Sequence, residues 1–369
     1  MSGIMLSFEF IELENEEIQN KQLRRQELRR QTDPFLDLDD SEFIKRYRLS
    51  KELAQALCDE IRPLLRQPKK STDLSAEQKV LTTLSFYGTG SYQRPIGDIS
   101  AHSLAQQTVS KVINEVTACI DSPQLRMKYI RFPQNFAERN TIRTKFYQKF
   151  FMPGVLGCID CTQIAIIRPA IHEERYFCRK HYHSLNVQLI CDAEMQILSV
   201  DSSYGGATHD SFIWNTHPIK TFLENLNEST WLLGDSAYPL RKYMMTPILN
   251  TVTGTPESHY TDVHARTRNL IERTIGLLKA RFRCLLVHRV LHYTPEKAAS
   301  IVNACVILHN MCNEAQIPVL DEGQVGQMDE SSVNVFYNNE YLNNEPLHQG
   351  MLTRNNLVQR LWQSPENQL

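Results

Sequence analysis

Between Phe43 and Leu64 apolar side chains return every three to four residues. Phe43, Tyr47 and Leu49 lead in, and Leu53, Leu57, Ile61 and Leu64 follow. That spacing marks one face of an α-helix. Residues 41–68 are therefore expected to be helical, with Ser50 as an N-cap and Pro68-Lys69-Lys70-Ser71 as a break. The pattern resumes at Ser75 with Val80, Leu81, Leu84 and Phe86, and stops at Gly88-Thr89-Gly90-Ser91. A short segment holding Ile96 and Ile99 follows. Ser103 then starts a longer predicted helix with Leu104, Val109, Val112, Ile113 and Val116 inward and Gln106, Gln107, Ser110, Lys111 and Asn114 outward. Helix, break, short segment, helix is a helix-turn-helix-like order, and the outward amide and amine groups suit base edges and phosphates. A plain helical bundle with a polar surface fits the same pattern. Residues 121–150 read as a basic connector, with a domain boundary near 150.

From 151 the period changes. Val155–Ile167 is an apolar run, Leu185–Cys191 and Ile197–Tyr204 are two more strand candidates, and Trp231-Leu232-Leu233-Gly234 is a fourth. A helix is expected after His209-Asp210, a mixed loop over 241–262, and helices near 263–283 and 295–314. Three strands, a helix, a strand and then helices predict an α/β domain with a mixed sheet flanked by helices over 151–316. The ends differ from this middle. Residues 1–40 are polar, with Arg24-Arg25 and Arg29-Arg30 as either a nuclear-import signal or a solvated charge run. Residues 317–369 form an acidic tail, expected to be mostly disordered with a short helix over Met351–Trp362.

Composition narrows the class. The longest apolar run, around Phe150–Ile159, is interrupted by Pro153 and Gly154, so no membrane span is expected. Glu9, Glu12 and Glu14 follow the first apolar residues, which a secretory signal does not tolerate well. Nine cysteines at irregular spacing fit reduced thiols better than a disulfide framework. The net charge of −2 hides an asymmetry, because residues 41–150 hold 18 Lys/Arg against 10 Asp/Glu. That excess suggests a polyanionic partner for this segment.

Three acids stand out. Asp160 lies inside the apolar strand Gly157–Ile164, where an ionised carboxylate is costly unless it is paired or binds a metal. Asp235 follows an apolar strand in Gly234-Asp235-Ser236, at the end that faces the ligand crevice in α/β sheets. On a helix running from Arg268 to Arg283, Glu272 borders the stripe Ile271, Ile275, Leu278 and Phe282, on the side of Arg268, Lys279 and Arg283. It is either a metal ligand facing a phosphate backbone or one member of an ion-pair network with Arg268 and Lys279. Two strand acids and one late helix acid can meet at one sheet edge. Such a set, without histidine or thiolate, favours a hard cation, Mg²⁺ or Mn²⁺. Asp210 is either a fourth acid or an N-cap. Arg179 and Lys180 are either phosphate contacts or loop charge. Cys158 and Cys161 span a strand and point to opposite faces, so a shared zinc is not expected. Cys305, His309 and Cys312 share a helix face and read as packing residues.

Gly157–Ile164, Gly205–Ser211, Gly234–Pro239, Ile271–Phe282 and Ala304–Met311 resemble, in order, the motifs of the PIF/Harbinger superfamily of DDE transposases. Within it the sequence resembles most the animal Harbinger transposase-derived nucleases. The resemblance implies a ribonuclease-H-like fold, two divalent metal ions, and an acidic triad of Asp160, Asp235 and Glu272 that is both catalytic and metal-binding. It implies hydrolysis of DNA phosphodiester bonds, a nuclear location with the cytoplasm left open, and a Myb-like DNA-binding partner. Gln107, Lys111, Arg179, Lys180, Lys279 and Arg283 are then the expected DNA contacts. The alternative is a domesticated, catalytically silent DNA-binding or scaffold protein acting with the Myb-like partner. The sequence leaves open whether the chain forms a homo-oligomer.

Overall fold

A computed structural model of the chain describes residues 2–70, 72–318 and 345–363. It divides into two compact units, one reaching to Ile120 and taking in Phe282–Cys284, the other holding Asp121–Arg281 and the chain from Leu285. The division falls at 120, so the segment expected to be a connector belongs to the second unit, and the expected boundary near 150 lies within it.

The first unit is helical: α1 Ser2–Gln31, α2 Pro34–Asp37, α3 Asp40–Tyr47, α4 Lys51–Ile61, α5 Ala76–Thr89, α6 Gln93–Asp98 and α7 Gln106–Ile120. Local chemistry sets their ends. Asp39, Ser50 and Ser75 cap α3, α4 and α5, and Ser75 with Gln78 forms a reciprocal capping box. Almost all of α5 is buried, Lys79 included, because its Nζ donates to Glu115 Oε1 at 2.9 Å and to the Arg66 carbonyl at 3.0 Å. Helix α7 starts at Gln106 rather than at Ser103. Ser103 has φ 42° and Leu104 N–H turns back to the Gly97 carbonyl at 2.9 Å. A Cβ on Gly97 would lie 2.3 Å from the Leu104 carbonyl oxygen, so this approach needs glycine. Arg29, expected either as import signal or as solvated charge, is half-buried and donates to the Ser103 carbonyl at 2.6 Å.

The second unit opens with α8 Pro123–Tyr129 and α9 Phe136–Phe150, where the connector was expected. Many of its cations are consumed internally. Arg126 pairs with Asp121, Arg139 and Arg143 with Glu228, and Lys149 with Glu194. The excess of basic residues in 41–150 therefore overstates the charge available to a polyanion.

The sheet is built from β1 Val155–Ala165, β2 Ser184–Cys191, β3 Ile197–Gly205, β4 Trp231–Leu233 and β5 Met244–Met245, in the order β3-β2-β1-β4-β5. Only β2 runs against the others. Helices α10 Asp210–Thr216 and α11 Pro218–Glu224 lie between β3 and β4 in the chain. Helices α12 Pro256–Arg281, α13 Pro295–Glu314 and α14 Glu345–Trp362 follow β5. A core of Leu156, Ile159, Ile190, Leu198 and Leu232 packs with Trp214, Leu223 and Tyr243. Part of the expected loop 241–262 is thus ordered. Thr255 caps α12 through Ser258 N–H at 3.3 Å with Pro256 at the first helical position, so α12 starts seven residues earlier than its apolar stripe suggests. It ends at Arg281, leaving Phe282 and Arg283 outside the helix. The tail helix α14 starts at Glu345 and packs on α12 and β5. The rest of the expected disordered tail lies outside the described residues, save its first two positions and Gln363. Among the described residues no helix is long and apolar enough to cross a membrane.

Candidate active site

Strand register brings the first two acids together. β1 and β4 run in parallel with Cys158 opposite Leu233. Two residues further along each chain stand Asp160 and Asp235, neighbours at the end of the short strand β4. Helix α12 crosses this edge, and Cys158 Sγ meets its Thr267 carbonyl at 3.5 Å. The next residue of the helix, Arg268, donates from Nη2 to Asp160 Oδ2 at 2.8 Å and from Nη1 to Glu272 Oε1 at 2.7 Å. One guanidinium thus ties the strand acid to the helix acid.

The electrostatics show a site short of positive charge. Burial pushes the Asp160 carboxyl up to about 7. Arg268 opposes the shift, while Asp235 and Asp210 add to it. Asp235 is also raised, first by burial and against the pull of Arg268, with Asp210 and Glu272 adding repulsion. Burial alone would lower Arg268, but Asp160, Asp235 and Glu272 together hold it above its ordinary value. All three acids therefore act on one cation.

Asp210 is not an N-cap. His209 occupies that position without a side-chain cap bond, and Asp210 is the first residue of α10. Its Oδ1 accepts from Asn186 Nδ2 at 2.8 Å, a buried β2 amide that also bonds the Thr208 carbonyl. Of the two sequence readings of Asp210 the cap is excluded, and the amide that holds it has a sequence signal of its own, since Asn186 and Gln188 are polar residues in an otherwise apolar strand. Opposite Gln188 stands Cys161, whose thiol meets the buried Tyr238 hydroxyl at 3.5 Å.

The expected DNA contacts divide. Arg179 is exposed and donates to His209 Nδ1 at 2.7 Å, next to Asp210. Lys279 donates to the Gln163 carbonyl at 3.1 Å, not to Glu272, and burial followed by the charge of Lys180 lowers it to about 8. Arg179, Lys180 and Lys279 thus gather around the same end of β1 and β2. Arg283 does not share the Glu272 face as expected. It lies past the end of α12, in the segment that folds with the helical unit against Gly90. Gln107 and Lys111 are exposed on the first two turns of α7. The Cys305–His309–Cys312 face is packed: His309 accepts from Arg281 and donates to the Met195 carbonyl, and burial lowers it to about 3.

Among the described residues no three ligating side chains lie close enough to share an ion as they stand. The donor set nevertheless fits a divalent cation. It consists of carboxylate oxygens alone, burial and neighbouring acids raise Asp160 and Asp235, and the Arg268 guanidinium bonds Asp160 and Glu272 as their counter-charge. The mixed five-stranded sheet flanked by helices is consistent with a DDE endonuclease domain. Residues 159–310 match the family described as DDE superfamily endonuclease. The chain is 32% identical over 298 residues to human "Putative nuclease HARBI1", covering 80% of this chain and 84% of that one. It is 31% identical over 290 residues to the Xenopus laevis protein of the same name, covering 78% and 82%. An Arabidopsis thaliana protein named ALP1-like is 21% identical over 313 residues, covering 78% and 75%. No solved structure matches. The chain belongs to the Harbinger transposase-derived nuclease family of DDE superfamily endonucleases.

Proposed function

We propose that this chain hydrolyses phosphodiester bonds in DNA with Asp160, Asp235 and Glu272 as its catalytic acids. The observation that carries the reading is that Arg268 bonds Asp160 and Glu272, from a strand and a helix far apart in the sequence, while the charge of Asp235 also acts on it. The strand order β3-β2-β1-β4-β5 with β2 alone reversed supports a ribonuclease-H-like assignment. The three acids, with Asp210 beside them, would hold two divalent cations, Mg²⁺ or Mn²⁺. Such ions, when bound, lower the pKa of an attacking water and stabilise a leaving 3′ oxygen. Asp160, raised to about 7 by burial, gives up its proton before it can serve as a ligand. Asn186 orients Asp210 through its amide. Arg179, Lys180 and Lys279 offer the scissile strand a cationic margin, which orients phosphate without reading sequence. In the helical unit, a helix-turn-helix reading of α5–α7 has Gln107 reading bases and Lys111 touching phosphate. A nuclear location and a Myb-like partner complete the proposal on the family resemblance.

A second reading has an observation of its own. Arg268 already neutralises Asp160 and Glu272, as an internal ion pair would in a silent scaffold. Cleavage of supercoiled DNA in Mg²⁺ or Mn²⁺ separates the two. Wild type should nick and Asp160→Asn should lose at least about 100-fold, since loss of an outer-shell partner alone costs 10–100-fold. Equal rates from nuclease-free preparations of both would end the enzymatic reading.

A further inference from the structure

We propose that Arg268 is a resident counter-ion of the acidic site, exchanged for divalent cation rather than retained beside it. The proposal rests on the cation-dependent reading above. The guanidinium donates to Asp160 Oδ2 and Glu272 Oε1, oxygens that a bound cation needs, and an oxygen cannot serve both fully. Among the described residues its remaining nitrogen, Nε, is buried without a hydrogen-bond partner. Among the described residues the side chain is therefore hydrogen-bonded to the two acids alone, and it is released once they are claimed. The charge change favours exchange: Asp160, Asp235 and Glu272 all pull on a single positive charge, and Asp210 adds repulsion at Asp160 and Asp235. A released guanidinium at this edge has the planar, paired donors that fit phosphate oxygens. Arg268 thus offsets the repulsion among the acids when no cation is bound, sets a threshold for cation entry, and is freed toward the substrate strand when cation arrives. At the sequence level Arg268 is an ordinary i, i+4 partner of Glu272; its bond to Asp160 gives it this second role.

The test is a titration of the full-length chain with MnCl₂, counting free Mn²⁺ by electron paramagnetic resonance, with thermal unfolding in chelator and in saturating Mn²⁺. Arg268→Ala should bind Mn²⁺ at least about tenfold tighter than wild type, because charge-assisted hydrogen bonds no longer compete. It should melt below wild type in chelator, and saturating Mn²⁺ should close most of that gap. Arg268→Lys, which keeps the charge but not the paired donors, should fall between the two and serves if the alanine variant does not fold. Asp160→Asn should lose Mn²⁺ binding, placing the ion at this site. Equal or weaker Mn²⁺ binding by the Arg268 variants, with the melting gap left open, would make Arg268 a structural ion pair and overturn the proposal, leaving the cation reading intact. No Mn²⁺ binding by wild type and Arg268→Ala alike would overturn both.

Discussion

Two arginine–carboxylate clusters in the second unit have opposite charge balance. At the first, Arg139 and Arg143 share one acid, Glu228: Arg139 Nη2 donates to Oε1 at 2.5 Å and Arg143 Nη1 to Oε2 at 3.1 Å. Arg139 also donates to the Gln134 carbonyl at 2.7 Å, which locks it in place. Glu228 is held below the usual carboxylate range by the Arg139 hydrogen bonds. At the second, one arginine bonds two acids, Asp160 and Glu272, and feels the charge of a third, Asp235; the most buried of them, Asp160, is pushed up to about 7. Both are ion pairs across long stretches of chain, spanning 89 residues in one case and 108 in the other. What separates a structural pair from a candidate site is the sign of the imbalance. Surplus cation leaves an acid satisfied; surplus acid leaves room for a metal.

The largest expected effect tests that division through stability. Glu228→Gln strands two largely buried guanidinium groups and should cost about 2 kcal/mol in urea unfolding, below the range for fully buried pairs because the cluster retains some solvent contact. Its Mn²⁺ affinity should match wild type. Asp160→Asn in chelator removes a desolvated charge and should cost less than half as much. An equal cost at the two positions would erase the distinction.

A smaller effect lies in pH. Glu228, with its folded pKa lowered, contributes stability that is present above its unfolded pKa and lost as pH falls through the folded value. Asp160 has its folded pKa raised, so the folded state binds the proton more tightly. Its contribution is complete below the unfolded pKa of about 3.9 and is lost as pH rises toward about 7. In chelator, the stability difference between wild type and Asp160→Asn should therefore fall between pH 4.5 and 7.5. The difference between wild type and Glu228→Gln should fall only toward acid. Slopes of the same sign would contradict the assignment of imbalance.

The smallest effect sharpens the contrast between a built site and an exposed surface. Lys111→Ala should weaken DNA binding a few-fold on every sequence and reduce the salt slope by about one. Gln107→Ala should blur sequence preference and leave that slope alone. Electrophoretic titrations at several salt concentrations read both. If neither variant changes binding, the exposed face of α7 is better read as a surface for a protein partner.

Local chemistry was legible in the chain itself. Ser50 caps a helix where the sequence put a cap, Ser75 caps the helix whose apolar pattern resumes there, and the strands over 155–165, 184–191 and 197–205 follow their apolar runs. These features depend on neighbours a few residues away, so a linear reading contains their causes. Asp160 was conspicuous for the same reason, as an acid in an apolar strand. Other features had no local cause to read. Phe282 and Arg283 leave a helix whose apolar stripe runs on to Phe282, and they fold with the other unit. A two-residue strand, β5, is specified by its register with β4 rather than by its own composition. Above all, Arg268 looked like a partner of Glu272 alone, because helical spacing is visible in sequence and a bond to a strand 108 residues away is not. Composition and periodicity determined which acids were costly to bury. Only the parallel register of β1 with β4 and the path of α12 decided that three of them would share a single positive charge.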